Sequence, residues 1–395
     1  MKRALEGIRI LDLSRMLPGP YGSMMLGDLG AEVIKVEDTK AGDPTRHAPL
    51  RIGNESARFL QINRNKKSIA IDLKNPEGRD LFLSLARTAD VVLEQFRPGV
   101  VARLGIDYAA VSAVNPRIIY CSLTGYGQDG PHRERGGHDL NYIALAGVLG
   151  LTADDRGKPV IPGVQIADLA GGMIAALAIL AALFAREKTT RGQFIDVSMF
   201  DVVLSMLPVP AASEFAGSPI RVGERYILTG HYPFYNIYET KDGKYMTIGA
   251  LEPKFWSSFC SAVGREDLIA RQFDSGLDRE RLFDEVGSIF KSKTQGEWVE
   301  FMRGVDACCE PVLSMAEAFR HGQTRAREMI RAMQQPDCGS IDQLGFAYKM
   351  SDTPPAISGP VPALGQDSHD LMSEIGLSQA ERARLVETGI VRTSD

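Results

Sequence analysis

The stretch GIRILDLSRMLPGPYGSMMLGDLGAEVIKVE, residues 7–37, decides the fold. Gly7 to Ser14 and Ala31 to Glu37 are rich in Ile, Leu and Val, which predicts two buried strands. A Pro-Gly-Pro turn at 18–20 and a helical pattern from Tyr21 to Leu29 separate them. The stretch therefore predicts a βαβ unit, the building block of a parallel sheet.

The same alternation continues beyond residue 37. Further strands are predicted at Ser68 to Leu73, Asp90 to Glu94 and Arg117 to Leu123, with helices at Gly78 to Ala86 and Tyr108 to Val114. This order is typical of α/β proteins, and it predicts a large domain built on a Rossmann-like parallel sheet.

A chain of 395 residues is too long for one ordinary core, so we expect two domains. Residues 1–206 are predicted to form the large domain, and residues 207–224, rich in Pro, Ala, Ser and Gly, a linker. An Asp-Gly hairpin signal between Tyr235 to Glu239 and Tyr245 to Gly249 opens a small α+β domain at 225–330. Residues 331–395 are predicted to return to the large domain and complete it, ending in a helix at Gln379 to Glu387.

Two further helices are predicted at Asp139 to Leu149 and Asp168 to Arg186. The apolar run Met173 to Phe184 inside the second is shorter than the roughly 20 residues of a membrane span, so it predicts a buried core helix and no membrane partner. The N-terminal residues contain no apolar run of signal-peptide length, which favours a cytoplasmic protein.

Charge and cysteine content exclude several classes of function. A net charge of −5 argues against a nucleic-acid partner, since that task needs a concentrated positive field. The five cysteines match no zinc spacing, which indicates free thiols, a reduced compartment and no metal site. Residues 7–37 also resemble the start of a dinucleotide-binding unit. However, Gly19 and Gly22 do not form Gly-x-Gly-x-x-Gly, and two prolines stiffen the loop that would bind the pyrophosphate. The sequence therefore argues against an NAD-dependent enzyme.

Basic residues stand next to the predicted strands. Arg64, Lys66 and Lys67 precede one strand, while Arg97 and Arg103 follow the strand that ends at Glu94. Loops at one edge of a parallel sheet can converge on a ligand, and guanidinium groups suit phosphate oxygens. The alternative is a solvated surface patch.

Three residues at predicted element junctions are candidates for acid/base chemistry. His138 follows two glycines at a helix start, where the backbone N–H of Asp139 could stabilise an enolate oxygen. Asp168 opens a helix rich in small residues, and Glu252 lies between a strand and a helix in the small domain. Each has an ordinary alternative, a capping or packing histidine, a helix N-cap, or an unremarkable surface glutamate.

Together these segments resemble the class III CoA-transferase family (formyl-CoA transferase-like), and within it the α-methylacyl-CoA racemases. The resemblance covers nearly the whole chain, and its carriers are PGPYGSMMLGDLGAEVIKVE (18–37), NRNKKSIAIDLK (63–74), FRPGVVARLG (96–105), TGYGQDGP (124–131), GGHDLNYIALAG (136–147), ADLAGG (167–172), GALEPKFW (249–256) and DACCEPVL (306–313). The resemblance implies an interlocked homodimer and an acyl-CoA thioester substrate, with no further cofactor.

The resemblance also implies roles for individual residues. Arg97 and Arg103 match arginines that contact the CoA phosphates, and Arg64 lies in a motif that lines the same groove. Some racemases have an arginine shortly after the second strand, whereas this chain has Asp38 there. The resemblance implies that Lys40 could make the CoA contact in place of that arginine.

In the racemase branch, His138 and Asp168 would exchange the α-proton on opposite faces of the acyl carbon, with Glu252 paired to Asp168 and raising a carboxyl pKa. In the transferase branch Asp168 would instead be the nucleophile that carries the acyl group and then CoA. We expect the racemase, with CoA transfer between carboxylic acids as the alternative. Nothing in the sequence indicates which acyl group is bound.

Overall fold

A computed structural model describes residues 3–394, which divide into two compact units. Of the described residues, the larger unit comprises 3–148, 162–207 and 327–394, and the smaller comprises 149–161 and 208–326. The predicted boundaries differ from this division at three places. Residues 149–161 belong to the smaller unit, the predicted linker belongs to it from Pro208 onwards, and the return to the larger unit starts at Arg327.

Strands and helices are numbered here along the chain. The strands are β1 Arg9–Asp12, β2 Glu32–Glu37, β3 Arg51–Ile52, β4 Glu55–Ser56, β5 Lys66–Ile71, β6 Val91–Glu94, β7 Ile119–Thr124, β8 Gln193–Ser198, β9 Tyr235–Glu239, β10 Tyr245–Gly249, β11 Cys309–Pro311, β12 Ile330–Gln335, β13 Gly339–Leu344 and β14 Val391–Arg392. The helices are α1 Pro18–Asp28, α2 Ala57–Leu60, α3 Pro76–Ala86, α4 Val100–Leu104, α5 Tyr108–Val114, α6 Asp139–Leu145, α7 Val148–Leu151, α8 Ile166–Thr189, α9 Met199–Ser205, α10 Pro208–Phe215, α11 Pro253–Ala262, α12 Gly276–Lys291, α13 Gln295–Phe301, α14 Met315–Arg320, α15 Gly322–Ala326, α16 Ser368–Glu374 and α17 Gln379–Glu387.

The larger unit is built on one sheet, in the order β14-β5-β2-β1-β6-β7-β8. All neighbouring strands are parallel except β14, which runs antiparallel to β5. Numbered among themselves, the parallel strands lie in the order 3-2-1-4-5-6, that of the doubly wound nucleotide-binding fold. The predicted parallel sheet is therefore confirmed, and β14 shows the C-terminal segment returning to its edge.

This strand order creates a switch point between β1 and β6, where ligands bind in doubly wound sheets. The segments that follow these two strands touch each other, since the backbone N–H of Gly19, in the first turn of α1, donates to Oε1 of Gln95, just after β6, at 3.1 Å. The guanidinium of Arg15 lies over the ring of Phe96, with 5.4 Å from the carbon to the ring centroid. The carboxyl edge of the sheet thus carries an exposed cation beside an aromatic ring.

Helices α1 and α8 pack with their backbones in contact. A Cβ atom added to Gly172 would lie 2.3 Å from the carbonyl oxygen of Pro18, and one added to Gly22 would lie 2.5 Å from the carbonyl oxygen of Gly172. Only glycine permits this approach, which holds the first turns of α8 against α1.

We expect Gly172→Ala to lower the free energy of unfolding by about 1–3 kcal/mol, the usual cost of overpacking. The reason is that backbone atoms cannot move aside as a flexible side chain would. Gly163→Ala is the matched control, because nothing lies within 4 Å of its added Cβ. Urea denaturation of both variants measures the difference, and equal midpoints would contradict the prediction.

Helix α8 differs from the predicted buried core helix. It spans 24 residues, and among residues 3–394 it is the helix long and apolar enough to cross a membrane by length and composition, a property shared by core helices. One face is buried at Ala175, Ile179 and neighbours, while Leu177 is 60% and Phe184 68% exposed. The prediction that the run is buried on all sides was wrong, because Ala and Leu occur on every face of the helix and do not show which face is covered.

Two other expectations are corrected by local structure. The predicted linker contains helix α10, because Pro208 is the first helical residue, where its missing N–H costs nothing, and Ala and Ser follow it. The predicted helix from Asp139 to Leu149 stops at Leu145, since Gly147 adopts a left-handed conformation with φ 87°. Strands β8, β11, β12 and β13 were not predicted.

The smaller unit packs helices on an antiparallel sheet of order β11-β10-β9. The hairpin β9–β10 has the predicted limits, with Tyr245 opposite Glu239. Its core is aromatic, with the rings of Phe234, Trp256 and Phe290 fully buried. The predicted α+β character of this segment is observed.

Candidate active site

Asp168 lies in the first turn of α8, which begins at Ile166 on the carboxyl side of the parallel sheet. The sequence left open that Asp168 is simply the N-cap of this helix, but the N-cap residue is Gln165. Asp139 Oδ1 accepts hydrogen bonds from the backbone N–H groups of Ala167, at 2.6 Å, and Asp168, at 3.2 Å. Among the described residues, no donor reaches the Asp168 carboxylate itself. That carboxylate is half-buried and free to exchange a proton.

His138 is the N-cap of α6, and its residue is exposed. Its backbone N–H donates to Asn141 Oδ1 at 3.0 Å, which orients the first turn of the helix. The preceding loop is closed by Tyr142, whose hydroxyl donates to the carbonyl oxygen of Gly137 at 2.6 Å. His138 is also close enough to Asp168 for its charge to act on that carboxyl. The structure thus brings His138, Asp139 and Asp168 together.

The electrostatics of this site favour the protonated form of the Asp168 carboxyl. Burial raises the pKa of Asp168 to about 6, with a further rise from the charge of Asp139 and an opposing effect of His138. Within the larger unit, the neighbouring carboxylate that disfavours ionisation is therefore Asp139. A carboxyl with a pKa near 6 can give or take a proton at neutral pH.

Asp139→Asn is expected to lower the pKa of Asp168, because it removes a negative charge but keeps an oxygen to accept from the amides of Ala167 and Asp168. A carboxyl acts as a base only above its pKa. If Asp168 is a base in the reaction that the protein catalyses, the fall of kcat/KM at acid pH should therefore move to lower pH in Asp139→Asn. Glu134→Gln removes an exposed carboxylate from the preceding loop and is the control. A limb that stays in place in Asp139→Asn would show that burial alone sets this pKa.

Glu252 belongs to the smaller unit, where it is the exposed N-cap of α11 after β10. The segment before it is held by Gln272, whose amide donates to the carbonyl oxygens of Ala250, at 3.2 Å, and Leu251, at 3.0 Å. Burial raises the pKa of the nearby Cys308 thiol, and the charge of Glu252 adds to that rise. Its pairing with Asp168 stays a prediction.

The basic residues predicted to bind CoA fall into two groups. Arg64 is buried and donates to both carboxylate oxygens of Asp28, at 2.9 and 2.8 Å, and to the carbonyl oxygen of Leu344. Lys67 is half-exposed and pairs with Glu32 at 2.6 Å. Both side chains thus have partners within the fold. Arg64 in particular links Asp28 to the carbonyl oxygen of Leu344 in the buried interior.

Arg97 and Arg103 are exposed and follow β6 at the switch point. The guanidinium of Arg97 lies against Gly136, since a Cβ added there would be 2.6 Å from Nη2. This contact brings Arg97 to the loop that leads into His138. Arg15 beside Phe96 was missed by sequence reasoning, although its place just after the buried strand β1 is a signal for it.

Between residues 3 and 394, no group of three or more His, Cys, Asp or Glu side chains is arranged to hold a metal ion.

The fold is a doubly wound α/β fold with exposed arginines at the carboxyl edge of its sheet, and a half-buried carboxyl with a raised pKa lies in the first turn of α8. The chain belongs to CoA-transferase family III, whose model matches residues 5–368, and it is an enzyme acting on acyl-CoA.

Relatives with both activities of this family resemble the chain. It is 37% identical to an acyl-CoA transferase of Fusarium pseudograminearum (strain CS3096), over 98% of this chain and 88% of the relative. It is 33% identical to the alpha-methylacyl-CoA racemase of Mus musculus, over 98% of each chain. The crystal structure of a CAIB/BAIF family protein from Brucella suis superposes with a TM-score of 0.84 at 28% identity, covering 95% of this chain and 100% of that one.

Proposed function

We propose that the protein is an α-methylacyl-CoA racemase or epimerase that inverts the C2 centre of a 2-methylacyl-CoA. The observation that carries this proposal is the Asp168 carboxylate, which lies beside His138 without a hydrogen-bond donor of its own among residues 3–394. A carbon next to a thioester loses its proton only to a well-placed base, and inversion needs a second group to return a proton from the other face.

In the proposed reaction one of the pair removes the C2 proton and the other delivers a proton to the opposite face. Asp168 has a pKa of about 6, so it can serve as either base or acid as the substrate configuration requires. Asp139 holds the turn that carries Asp168 through two backbone amides. The backbone N–H of Asp139, at the first position of α6, is the proposed donor to the enolate oxygen.

Binding of the CoA moiety is proposed at the switch point. Arg97 and Arg103 are exposed there, and Arg97 reaches the loop before His138. Guanidinium groups of this kind match phosphate oxygens in charge and geometry. Glu252 is proposed to support Asp168 from the smaller unit, and no further cofactor is proposed.

We also propose a homodimer and a cytoplasmic location. The apolar side chains of Met173, Leu177 and Phe184 in α8 are exposed, and exposed apolar side chains grouped on one helix are typical of a subunit interface.

The direct test is exchange of the C2 proton. The protein is incubated with one configuration of a 2-methylacyl-CoA in deuterated water, and mass gain and configuration are followed together. We expect deuterium at C2 and conversion towards a racemic mixture. If the protein catalyses neither deuterium exchange at C2 nor inversion of configuration, the racemase proposal is refuted.

The second candidate is CoA transfer between carboxylic acids, with Asp168 as the nucleophile. It is favoured by the 37% identity to an acyl-CoA transferase. The free, half-buried carboxylate of Asp168 also suits attack on a thioester carbonyl. This candidate requires a free acid as acceptor and predicts that hydroxylamine traps an adduct on Asp168.

A further inference from the structure

A second polar cluster, formed by His231, Tyr232 and Arg279, lies within the smaller unit. Nη1 of Arg279 in α12 forms a hydrogen bond with Nε2 of His231. The carbonyl group of Arg225 hydrogen-bonds with the same imidazole ring. The Tyr232 ring lies edge-on to His231, with 4.8 Å between centroids, and 6.0 Å from the guanidinium carbon of Arg279. We call this the His231 cluster.

Among the partly buried arginines that the structure describes in its unit, Arg279 differs from the others because it lacks an acidic partner. Arg225, Arg265 and Arg271 are also partly buried, and each pairs with at least one carboxylate within 4.0 Å. Among the described residues no carboxylate comes that close to Arg279, although its residue is partly buried. Since a guanidinium offers five N–H donors and one is used here, the group can still bind an anion.

The ring of His231 strengthens this reading. Burial and the charge of Arg279 lower the pKa of His231, so the imidazole accepts the hydrogen bond as a neutral group. It therefore orients the guanidinium without neutralising its charge. Glu224 is the acidic residue whose charge reaches His231, and its carboxylate accepts from the backbone N–H of Arg221 at 3.0 Å.

One short segment connects the cluster with Glu252. Gln272 binds the carbonyl oxygens of Ala250 and Leu251, directly before Glu252. Phe273 packs edge-on against Tyr232 at 5.7 Å, and α12 follows from Gly276. The segment that positions the Glu252 backbone thus also forms a wall of the His231 cluster.

We propose that the His231 cluster binds the carboxylate of a small organic acid. The acid is either the distal carboxylate of a dicarboxylic acyl-CoA or a free dicarboxylate. The inference that the ligand is an organic acid or its CoA ester depends on the proposed function. The inference that the cluster binds an anion depends only on the guanidinium of Arg279. The cluster would select carboxylate-bearing acyl groups over purely apolar ones.

Calorimetric titration of the full-length protein with succinyl-CoA, butyryl-CoA and succinate tests this proposal. We expect the wild type to bind succinyl-CoA about 10-fold or more tighter than butyryl-CoA, the value of one charge-assisted contact. Arg279→Met should abolish that preference and leave the affinity for butyryl-CoA unchanged. Arg281→Met, which removes an exposed arginine already paired with Asp278, is the matched control. Arg279→Lys, which keeps the charge, should retain part of the preference.

The succinate titration separates the two sources of the carboxylate. Succinate binding that Arg279→Met abolishes, without a preference for succinyl-CoA, supports the free acid as ligand. A preference or a succinate affinity that survives in Arg279→Met overturns the proposal, as does a wild type that shows neither. Binding needs no chemical step, so failure of C2 exchange leaves this result intact.

Discussion

His138→Gln is expected to lower the rate of C2 proton exchange by about 10²- to 10⁴-fold, the usual contribution of a general acid or base. The side chain lies at the exposed N-cap of α6, next to the half-buried carboxyl of Asp168. Glutamine keeps the polar character of the position but cannot exchange a proton. Asp168→Asn is expected to cause a loss of the same size, because the second face of the substrate loses its proton carrier. The measurement is deuterium incorporation at saturating 2-methylacyl-CoA.

His132→Gln is the matched control for this experiment. His132 lies in the same loop, where its ring packs against Tyr126 at 5.5 Å between centroids. We expect it to leave the exchange rate within a few-fold of the wild type. Affinity for CoA should persist in all three variants, since Arg97 and Arg103 are unchanged.

The two variants also separate the racemase from the transferase. If Asp168 is a nucleophile, Asp168→Asn abolishes turnover with an acceptor acid, while His138→Gln has a small effect. Full CoA transfer in His138→Gln, together with no C2 exchange in the wild type, would therefore decide for the transferase.

Lys66→Met is expected to lower the free energy of unfolding by about 3–5 kcal/mol, because it leaves a buried carboxylate without its main partner. Lys66 Nζ lies 3.1 Å from Asp12 Oδ2 and 2.8 Å from Ser23 Oγ, in a fully buried position below α1. Burial alone would raise the pKa of Asp12, but the charges of Lys66 and Lys35 outweigh it and lower the pKa to about 2. Chemical denaturation measures the loss.

The neighbouring lysine provides the control. Lys67 is half-exposed and its ion pair with Glu32 is solvated, so Lys67→Met should cost about 1 kcal/mol or less. Asp12→Leu combined with Lys66→Met should recover part of the stability, since a buried pair can be replaced by apolar groups. Equal losses for Lys66→Met and Lys67→Met would contradict the burial argument.

Local patterns were sufficient for most elements of the sheet and for one hairpin. Apolar runs with Gly and Pro between them predicted β1, α1 and β2 to within a few residues, and the Asp-Gly signal placed β9 and β10 at their observed limits. The helix at 379–387 was also predicted with its observed bounds, where Ser378 accepts from the backbone N–H of Glu381. Strand β8 was missed because it is an edge strand of six residues in which Asp196 interrupts the apolar residues and the first four residues are partly or fully exposed.

The candidate site was only partly predictable. His138 and Asp168 stood out because both lie at helix starts, but their neighbours came from the tertiary structure. Asp139 accepts hydrogen bonds from the backbone amides of Ala167 and Asp168, and its negative charge adds to the rise that burial causes in the pKa of Asp168. Arg64 was predicted to bind CoA from its place before a strand and from the family motif that contains it, whereas its bidentate pair with Asp28 is a contact between residues far apart in sequence.

The sequence by itself determined the α/β class and the family, because these depend on periodicity and on short ordered motifs, and it predicted His138 and Asp168 as the acid/base residues. Only the tertiary structure decided which charges are buried in pairs and which remain exposed. It also showed that Gly172 brings α8 against the backbone of α1, and that Arg279 lacks an acidic partner among the described residues. The physical reason is that burial and charge pairing depend on contacts between distant segments, which no local pattern encodes.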